Sequence, residues 1–394
     1  MNNKKLLFVC EGKITKDNWS GTTLSLYNGL KRCGFDVEPI EIVLPNLFQR
    51  VVSKAERTIS KISTKRVDFL RHPLIVALRK RSVSKLFAGK PYDAIFAVGS
   101  LSAACLPENV EKPVFQYIDG TIAVMEKYYS SKPTATASLR YEHRFEVYGL
   151  QKSVGGGLIF AASDWVGESC IRDYKIPEDC VIVTRIGSNN EVAMTDNTLN
   201  TIIDKRVESL LKGELNILFV GKDWDRKGGT DLLNLSKKLM KKVKKLRVCI
   251  VGCAPDIPNE LRSAVKVYER LNYDVPEDKA IFDELYESAH FFVLPTHAEC
   301  AGVVFCESSN RGLPSIAYST GGVPSVIQDG VNGYLFEMKQ ANVLTEMSKR
   351  ILETAEDTER YRKLCKTTYS FYEDNLCWEK IMNIICQNIN TKCK

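Results

Sequence analysis

Short apolar runs alternate with helical patterns along most of the chain, and this alternation restricts the fold more than any other feature of the sequence. Leu6–Cys10 has the pattern of a buried strand. Leu24–Cys33 has the pattern of a helix, which Gly34 can end in the left-handed conformation. Strands and helices that alternate in this way build parallel sheets covered by helices. The chain is therefore predicted to be an α/β protein.

The same pattern continues through the first half of the chain. Strands are predicted at Phe35–Val43, Ala94–Val98, Val114–Tyr117, Leu158–Ala161 and Val181–Val183. A further helix is expected to begin at Asp164, whose carboxylate would cap its first turn. A polar stretch over residues 187–200 then interrupts the alternation, which indicates a junction between two domains.

Beyond the junction the pattern restarts. Strands are predicted at Ile217–Val220, Val248–Val251, Phe291–Leu294 and Ser315–Ala317, and helices at Thr230–Lys242, Val304–Arg311 and Val323–Gln328. Because a single core rarely grows beyond about 250–300 residues, the 394-residue chain is expected to form two domains. We place them at residues 1–187 and 188–372, with a C-terminal helix in residues 373–394 that packs back on the first domain.

Positive charge is concentrated in residues 50–90. The whole chain has a net charge of +7, whereas this segment alone has twelve Lys and Arg residues against Glu56 and Asp68. The cations are mixed with the apolar residues Val67, Phe69, Leu70, Leu74, Ile75, Val76 and Leu78. The segment is either a solvated helical insertion or an amphipathic surface for an anionic membrane. Few aromatic residues are interleaved with the cations, which argues against nucleic acid as a partner.

The cysteines and histidines form no ligand pattern. The thirteen cysteines lack C-x2-C pairs and their number is odd, which argues against a disulfide framework and favours the cytoplasm. The four histidines also lack the spacing of a metal site, so neither a metal nor a cofactor is expected. No apolar run has the roughly 18–20 residues of a membrane span, and the N-terminal run is too short for a signal peptide. We expect a cytoplasmic protein, peripheral at the inner face of the cell membrane if residues 50–90 bind lipid.

The loop after the predicted strand Ile217–Val220 contains three cations beside a helix start. Gly221 opens this loop, and its cations are Lys222, Arg226 and Lys227. The N–H groups of a helix N-terminus, the helix dipole and basic side chains all attract the same anion, so the loop suits a diphosphate. A solvated turn with two glycines for flexibility explains the local sequence equally well.

The loop after the predicted strand Phe291–Leu294 contains two glutamates eight positions apart. Glu299 could accept a hydrogen bond from a sugar hydroxyl, and Glu307 could accept hydrogen bonds from the hydroxyls of a ribose. Gly302 stands between them and permits a close approach of the backbone just before a helix start. Taken alone, a pair of glutamates at this spacing is unspecific, and its position after a strand is what makes it a candidate site.

These two loops resemble glycosyltransferase family 4. The residues that carry the resemblance are Phe219–Lys222, Arg226–Gly229, Glu299 with Glu307, Arg311–Ile316 and Gly321–Ile327. The resemblance is dense over residues 216–336 and thinner elsewhere. It implies the GT-B fold, in which two Rossmann-like domains with parallel sheets face each other across a central cleft. It also implies a nucleoside diphosphate sugar (NDP-sugar) donor, retention of anomeric configuration and no obligatory metal.

The resemblance assigns roles to the matching charged residues. Lys222, where the family commonly has arginine, and Lys227 are expected against the donor diphosphate. Lys222 keeps the positive charge of arginine but lacks its planar bidentate fork. Glu299 is expected near the donor sugar and Glu307 at the ribose.

Further donor contacts are implied for Gly221, Arg226 and the backbone of Gly302, Val303 and Val304. The sequence Cys300-Ala301-Gly302 departs from the commoner Gly-Phe-Gly, and Ser308-Ser309 departs from Ala-Met. Both changes leave the role of the backbone in place.

The first half of the chain offers two more candidates. Gly21 and Thr22 follow the first strand and open a helix, which resembles the family's glycine-containing loop over the diphosphate and the acceptor. Asp119 follows a strand at the place where many relatives have a histidine near the transferred sugar. A turn aspartate before Gly120 is an equally good interpretation of Asp119.

The function expected from these residues is that of a retaining glycosyltransferase. It would move a hexose-type sugar from an NDP-sugar to a glycan or lipid-linked acceptor, in the synthesis of bacterial surface polysaccharide or lipopolysaccharide. The alternatives are a GT-B epimerase or hydrolase of the sugar nucleotide, and a non-catalytic NDP-sugar-binding protein. A dehydrogenase is disfavoured because Cys10–Thr15 lacks the Gly-x-Gly-x-x-Gly pattern after the first strand.

Overall fold

A computed structural model describes residues 4–65, 67–69, 71–129 and 134–393, and within them the chain divides into two compact units. The first unit contains the chain up to Arg185 together with the segment from Trp378 onward. The second unit is Ile186–Cys377. The second unit is therefore inserted, in sequence, into the first.

The described part of the first unit contains a six-stranded sheet. Its strands are β1 (Lys5–Glu11), β2 (Asp36–Ile42), β3 (Ala94–Val98), β4 (Val114–Ile118), β5 (Leu158–Ala161) and β6 (Val181–Val183). They lie in the order β2-β1-β3-β4-β5-β6, and neighbouring strands run parallel. The strand and helix alternation of the sequence therefore predicted the type of sheet correctly.

Helices cover this sheet. They are α1 (Thr22–Arg32), α2 (Asn46–Ile62), α3 (Pro73–Phe87), α4 (Ser100–Ala104), α5 (Ile122–Tyr129), α6 (Thr136–Gln151) and α7 (Asp164–Arg172). Gly34 follows α1 with a φ of 88°, as predicted. The predicted cap of α7 was wrong by one residue: the hydroxyl of Ser163 accepts from the N–H of Val166, and Asp164 stands inside the first turn.

The basic segment forms α2 and α3, which differ in burial. On α3, Val76, Val83 and Phe87 belong to the core of the first unit, and the Arg79 side chain is 7% exposed in an ion pair with Glu11 at 2.7 Å. The expectation that Val76 lies on an exposed apolar surface was therefore wrong, because α3 packs that side against the sheet. Two residues of the expected surface, Arg66 and Leu70, lie outside the described residues.

The second unit, described without gaps, contains another six-stranded sheet. Its strands are β7 (Glu214–Val220), β8 (Lys245–Val251), β9 (Val265–Tyr268), β10 (Phe291–Leu294), β11 (Ser315–Tyr318) and β12 (Gly333–Phe336). They lie in the order β12-β11-β10-β7-β8-β9, and neighbouring strands are again parallel. The structure thus contains two α/β units, as the length and the alternation predict.

The α-helices of the second unit connect and cover these strands. They are α8 (Asp196–Leu211), α9 (Gly229–Met240), α10 (Pro276–Ser288), α11 (Val303–Ser309), α12 (Val343–Glu356) and α13 (Thr358–Asn375). The helix predicted over Val323–Gln328 is only a 3-10 turn, Val323–Ser325. Pro324 is at a position in the first turn where proline is tolerated, but no regular α-helix follows this 3-10 turn.

A buried arginine joins the helices of the second unit. Arg206 on α8 is 1% exposed, and its guanidinium donates to the carbonyls of Tyr286 and Glu287 at the end of α10 and to those of Arg311 and Gly312 just after α11. The last carbonyls of a helix have no partner within the helix and carry partial negative charge. The charge of Arg206 is thus stabilised largely by two helix C-termini.

The last helix, α14 (Trp378–Lys392), packs on the first unit. Its buried residues include Ile381, Met382 and Ile385, and the Met382 side chain covers Gly29 of α1 so closely that a Cβ at Gly29 would lie 2.5 Å from it. Cys33 and Cys386 are paired as a disulfide. The sequence patterns predicted no disulfide, because the partners are 353 residues apart and share no motif.

Helices capable of spanning a membrane are not found among the described residues.

Candidate functional site

The loop between β7 and α9 is held in one conformation by its own hydrogen bonds. The N–H of Lys227 donates to the carbonyl of Asp223 at 2.9 Å, and the N–H of Gly229 donates to that of Trp224 at 2.9 Å. Gly228 has a φ of 74°, and a Cβ there would lie 1.9 Å from the carbonyl oxygen of Pro295. Only glycine fits this position, so Gly228 serves a close approach between two loops and not flexibility.

The two cations that precede α9 contact one carboxylate. The Lys227 ammonium forms an ion pair with Glu299, and the Arg226 guanidinium lies 3.6 Å from the same carboxylate oxygen. Arg226 also donates to the carbonyl of Ala298 at 2.7 Å. The side chains of Lys227 and Glu299 are only 11% and 13% exposed, so their charges interact with little screening by water. The structure therefore brings Arg226, Lys227 and Glu299 together, across the loops that follow β7 and β10.

The other lysine of this loop behaves differently. Gly221 is buried against Lys227, and a Cβ at Gly221 would lie 3.1 Å from the Lys227 side chain. Lys222, in contrast, is exposed to solvent. An exposed ammonium is strongly hydrated, so Lys222 has less to contribute to a desolvated site than Lys227.

The loop after β10 leads into α11 as the sequence predicts. Gly302 has a φ of 86° and precedes Val303, the first residue of the helix. A Cβ at Gly302 would lie 2.5 Å from the ring of Phe305 and 3.2 Å from the Glu299 side chain. The carbonyl of Glu299 also accepts from the N–H of Gly322 at 3.0 Å. Glu299 is thus fixed through its backbone as well as its carboxylate. Val303 and Val304, at the start of α11, are half-buried.

Glu307 belongs to a second, buried set of contacts. Its carboxylate accepts from the side-chain amide of Asn190 at 2.7 Å and from the hydroxyl of Tyr286 at 3.4 Å. Burial raises the pKa of Glu307, while the nearby Arg311 and the two hydrogen bonds act to lower it. Carboxylate oxygens can also accept hydrogen bonds from the vicinal hydroxyls of a ribose.

Arg311 supports this second set. Its guanidinium donates to Asp283 at 2.9 Å, stacks 4.6 Å above the ring of Tyr286 and donates to the backbone carbonyl of Glu307 at 3.2 Å. Sequence reasoning assigned no role to Asn190, Tyr286 or Asp283. The spacing of Glu307 and Arg311, four positions apart on one helix face, was a signal that could have linked those two. Asn190 and Asp283 come from distant parts of the chain and give no local signal.

One candidate of the first unit lines a cavity, and two others lie at the start of α1. Asp119 follows β4 and lines this cavity together with Trp19 and Glu11. Gly21, with a φ of 96°, and Thr22 are buried at the start of α1, one turn beyond Trp19. The structure therefore confirms the strand-to-helix context predicted for Gly21 and Thr22. Their contact with a substrate stays a prediction.

The second unit contains the part of the chain that matches a known protein family. Residues 201–368, which include Lys227, Glu299 and Glu307, match the model described as glycosyl transferases group 1. The second unit matches a glycosyltransferase family. The matched residues are less than half of the chain and contain both loops described above.

Curated glycosyltransferases are similar to less than half of the chain. A D-inositol 3-phosphate glycosyltransferase of Thermobifida fusca (strain YX) is 25% identical over 178 residues, which are 42% of this chain and 40% of that protein. The chain spans less than half of the length of the curated relatives it matches. The sequence comparisons therefore support a glycosyltransferase family without covering a whole relative.

Solved glycosyltransferase structures match the whole chain. A glycosyltransferase from Rickettsia africae ESF-5 has a TM-score of 0.68 and 15% identity, with 100% of both chains covered. Anabaena HepE, solved in complex with UDP-glucose, has a TM-score of 0.62 and 14% identity, with 99% of this chain and 100% of that chain covered. At these identities the likeness concerns the fold, and it confirms the predicted GT-B class with its two parallel-sheet units.

Proposed function

We propose that the protein is a retaining glycosyltransferase that takes an NDP-sugar as donor. The observation that carries this proposal is the contact of Lys227 and Arg226 with Glu299 at the carboxyl ends of β7 and β10. Parallel sheets bind their ligands at this edge, and the residues lie within the part that matches the glycosyltransferase model. A structural neighbour that binds UDP-glucose supports the class of donor.

The chemistry of this cluster suits departure of a diphosphate. Cleavage of the bond between the anomeric carbon and the phosphate leaves a nucleoside diphosphate with additional negative charge. Lys227 and Arg226 stand before the N-terminus of α9, so two cations and the helix dipole can stabilise that charge without rearrangement. Glu299 holds both cations in place and offers its carboxylate to a sugar hydroxyl, while Glu307 would take the ribose.

Retention of configuration is part of the proposal. The residues described above provide cations and hydrogen-bond acceptors, and sequence reasoning identified no carboxylate in a nucleophile position. We therefore favour attack of the acceptor hydroxyl on the anomeric carbon from the same face that the diphosphate leaves. The departing phosphate would accept the proton of this hydroxyl. A covalent glycosyl-enzyme would instead require a carboxylate beside the anomeric carbon.

Nucleotide binding is the first test of this function. Among UDP, GDP, ADP and their sugars, at least one nucleotide is expected to raise the melting temperature, since a ligand at 100 times its dissociation constant stabilises the folded state by about 2.7 kcal/mol. Glu307→Ala should weaken this effect, whereas the exposed Glu346→Ala should leave it unchanged. Absence of any shift across the panel would contradict an NDP-sugar donor.

The same nucleotides separate the proposal from its two alternatives. Epimerised or hydrolysed donor in the absence of an acceptor would favour an epimerase or hydrolase. Stabilisation by an NDP-sugar without any turnover, over a broad panel of saccharide acceptors, would favour a non-catalytic binding protein. A product in which the transferred sugar keeps the anomeric configuration that it had in the donor, as determined by proton NMR, would establish the retaining reaction.

We propose in addition that α2 and α3 lie against an anionic membrane. Val51 and Ile62 of α2 and Leu74 and Leu78 of α3 are 54–84% exposed, although they are large and apolar. Exposed lysines and arginines accompany them on both helices, such as Arg50, Lys54, Arg57, Lys61 and Arg81. Apolar side chains that enter the headgroup region beside cations are what binding to anionic lipid requires. A lipid-linked acceptor would fit this location.

Co-sedimentation with vesicles tests the membrane proposal. The protein is expected to pellet with phosphatidylcholine vesicles that contain phosphatidylglycerol and to stay in solution with phosphatidylcholine alone. The double variant Val51→Ser and Ile62→Ser should reduce the pelleted fraction, because it removes apolar area from the lipid-facing surface. Ile384→Ser is the matched control, since Ile384 is exposed on α14 of the same unit. Equal recovery in solution with both vesicle types would refute membrane binding.

A further inference from the structure

The carboxylate of Glu307 has a hydrogen-bond donor on each of its two oxygens. The side-chain amide of Asn190 donates to Oε1 at 2.7 Å, and the hydroxyl of Tyr286 donates to Oε2 at 3.4 Å. An ionised carboxylate has about four acceptor sites in all. Each oxygen can therefore accept a further hydrogen bond, and this arrangement suits two hydroxyls on neighbouring carbon atoms.

The nearby cation directs its hydrogen bonds elsewhere. The guanidinium of Arg311 donates to Asp283 at 2.9 Å, to the hydroxyl of Tyr273 at 2.5 Å and to the backbone carbonyl of Glu307 at 3.2 Å. Arg311 therefore stabilises the charge of the Glu307 carboxylate from a distance, while two neutral donors contact its oxygens. Of these two donors, the amide of Asn190 makes the shorter hydrogen bond.

Asn190 is itself held against the end of α11 by backbone contacts. The carbonyl of Asn190 accepts from Arg311 at 3.4 Å. Two residues further on, the N–H of Val192 donates to the side-chain oxygen of Asn310 at 2.7 Å, and the Asn310 amide donates back to the carbonyl of Val192 at 3.3 Å. The segment that contains Asn190 is thus fixed relative to the helix that contains Glu307.

A fixed carboxylate and a freely turning one differ in how they bind two hydroxyls. If the carboxylate is already oriented, both oxygens can accept at once and little side-chain entropy is lost on binding. Glu307 is 7% exposed, so water can replace a lost donor only poorly. Because a site built to bind a hydroxyl rejects an analogue that lacks it, the orientation of Glu307 bears directly on which nucleotides are accepted.

We propose that Asn190 is a positioning residue that orients the Glu307 carboxylate towards both ribose hydroxyls and so makes the site select ribonucleotides over deoxyribonucleotides. This inference rests on the proposed function, in which Glu307 takes the ribose. Asn190 acts through Glu307 and has no contact with the nucleotide in this scheme. It lies outside residues 201–368, so the match to the glycosyltransferase model does not imply this role.

Isothermal titration calorimetry on the full chain tests the role of Asn190. The probes are the diphosphate among UDP, GDP and ADP that stabilises the protein most, its 2′-deoxy form and its 2′,3′-dideoxy form. In the unaltered protein the affinity should fall with each hydroxyl that is removed. Asn190→Ala should weaken the ribonucleotide by about tenfold and leave the dideoxynucleotide unchanged, as expected for a lost hydrogen bond to a charged group.

Two further variants separate positioning from a general structural effect. Asn190→Ala should have no additional effect on affinity when Glu307→Ala is already present, because it acts through that carboxylate. Asn197→Ala is the matched control, since Asn197 is an exposed asparagine on α8 of the same unit, and it should leave all three affinities unchanged. Melting curves establish that each variant is folded.

Three outcomes would overturn the role of Asn190 alone. They are an unchanged preference for the ribonucleotide in Asn190→Ala, an equal loss of affinity for all three nucleotides, and an additional loss of affinity in the double variant. Failure of every ribonucleotide to bind the unaltered protein is a different result, because it would refute the proposed function and this inference together.

Discussion

Sugar transfer is expected to fall by about 10²- to 10³-fold when Lys227 is replaced by alanine, because removal of one preorganised donor to developing charge has an effect of this size. The ammonium of Lys227 is nearly buried and paired with Glu299, so water cannot easily replace it. In the variant, Arg226 is the remaining cation at this contact with the Glu299 carboxylate. The position of this carboxylate, which we propose to accept from a sugar hydroxyl, should therefore change. The reduction should appear in kcat as well as in kcat/KM.

The measurement is release of nucleoside diphosphate with the donor identified by thermal shift and a saccharide acceptor. Lys238→Ala is the matched control, since Lys238 is exposed on α9, the helix that follows the loop. Lys227→Arg keeps the charge and should retain part of the activity. Turnover of Lys227→Ala close to that of the unaltered protein, with an unchanged melting temperature, would remove Lys227 from the proposed mechanism.

Replacement of Arg206 by alanine is expected to destabilise the second unit by about 3–5 kcal/mol. Arg206 donates to four backbone carbonyls at the ends of α10 and α11, and the substitution leaves these acceptors without that donor in a buried place. It also leaves a cavity where a large buried side chain was. The neighbouring Lys205→Ala is the control, because Lys205 is exposed on the same helix.

Hydrogen exchange followed by mass spectrometry can localise this effect. A chain of two units need not unfold in one step, so a single melting temperature would be ambiguous. Peptides from α8, α10 and α11 should exchange faster in Arg206→Ala, whereas those from β1 and β3 of the first unit should not. Equal protection of the second unit in the two proteins would mean that Arg206 contributes little to its stability.

Much of the fold follows from periodicity, and the exceptions have local causes. Leu6–Cys10 and Ala94–Val98 are apolar throughout, as central strands of a parallel sheet are, and both were predicted. The edge strands β9 and β12 were missed. Val265–Tyr268 mixes lysine with valine and is only half-buried, and Gly333–Phe336 follows turn residues that mask the start of a strand.

The candidate site was predictable where a motif coincides with a strand end. Lys227, Arg226 and Glu299 were chosen from sequence, and the structure places them in contact. The partners of Glu307 were not predictable, because Asn190 and Tyr286 approach it only through the tertiary fold. The cavity of the first unit illustrates the same limit: Asp119 was identified, whereas Glu142 carried no signal that linked it to the cavity.

The return of α14 to the first unit affects how the protein can be made. Its helix partner α1 and Cys33, the partner of Cys386, are synthesised before the second unit, whereas α14 follows the whole of the second unit. A ribosome adds about 5–20 residues per second, so the apolar surface awaiting Ile381 and Ile385 stays uncovered while Ile186–Cys377 is being translated. The first unit therefore cannot complete its fold until α14 has been translated.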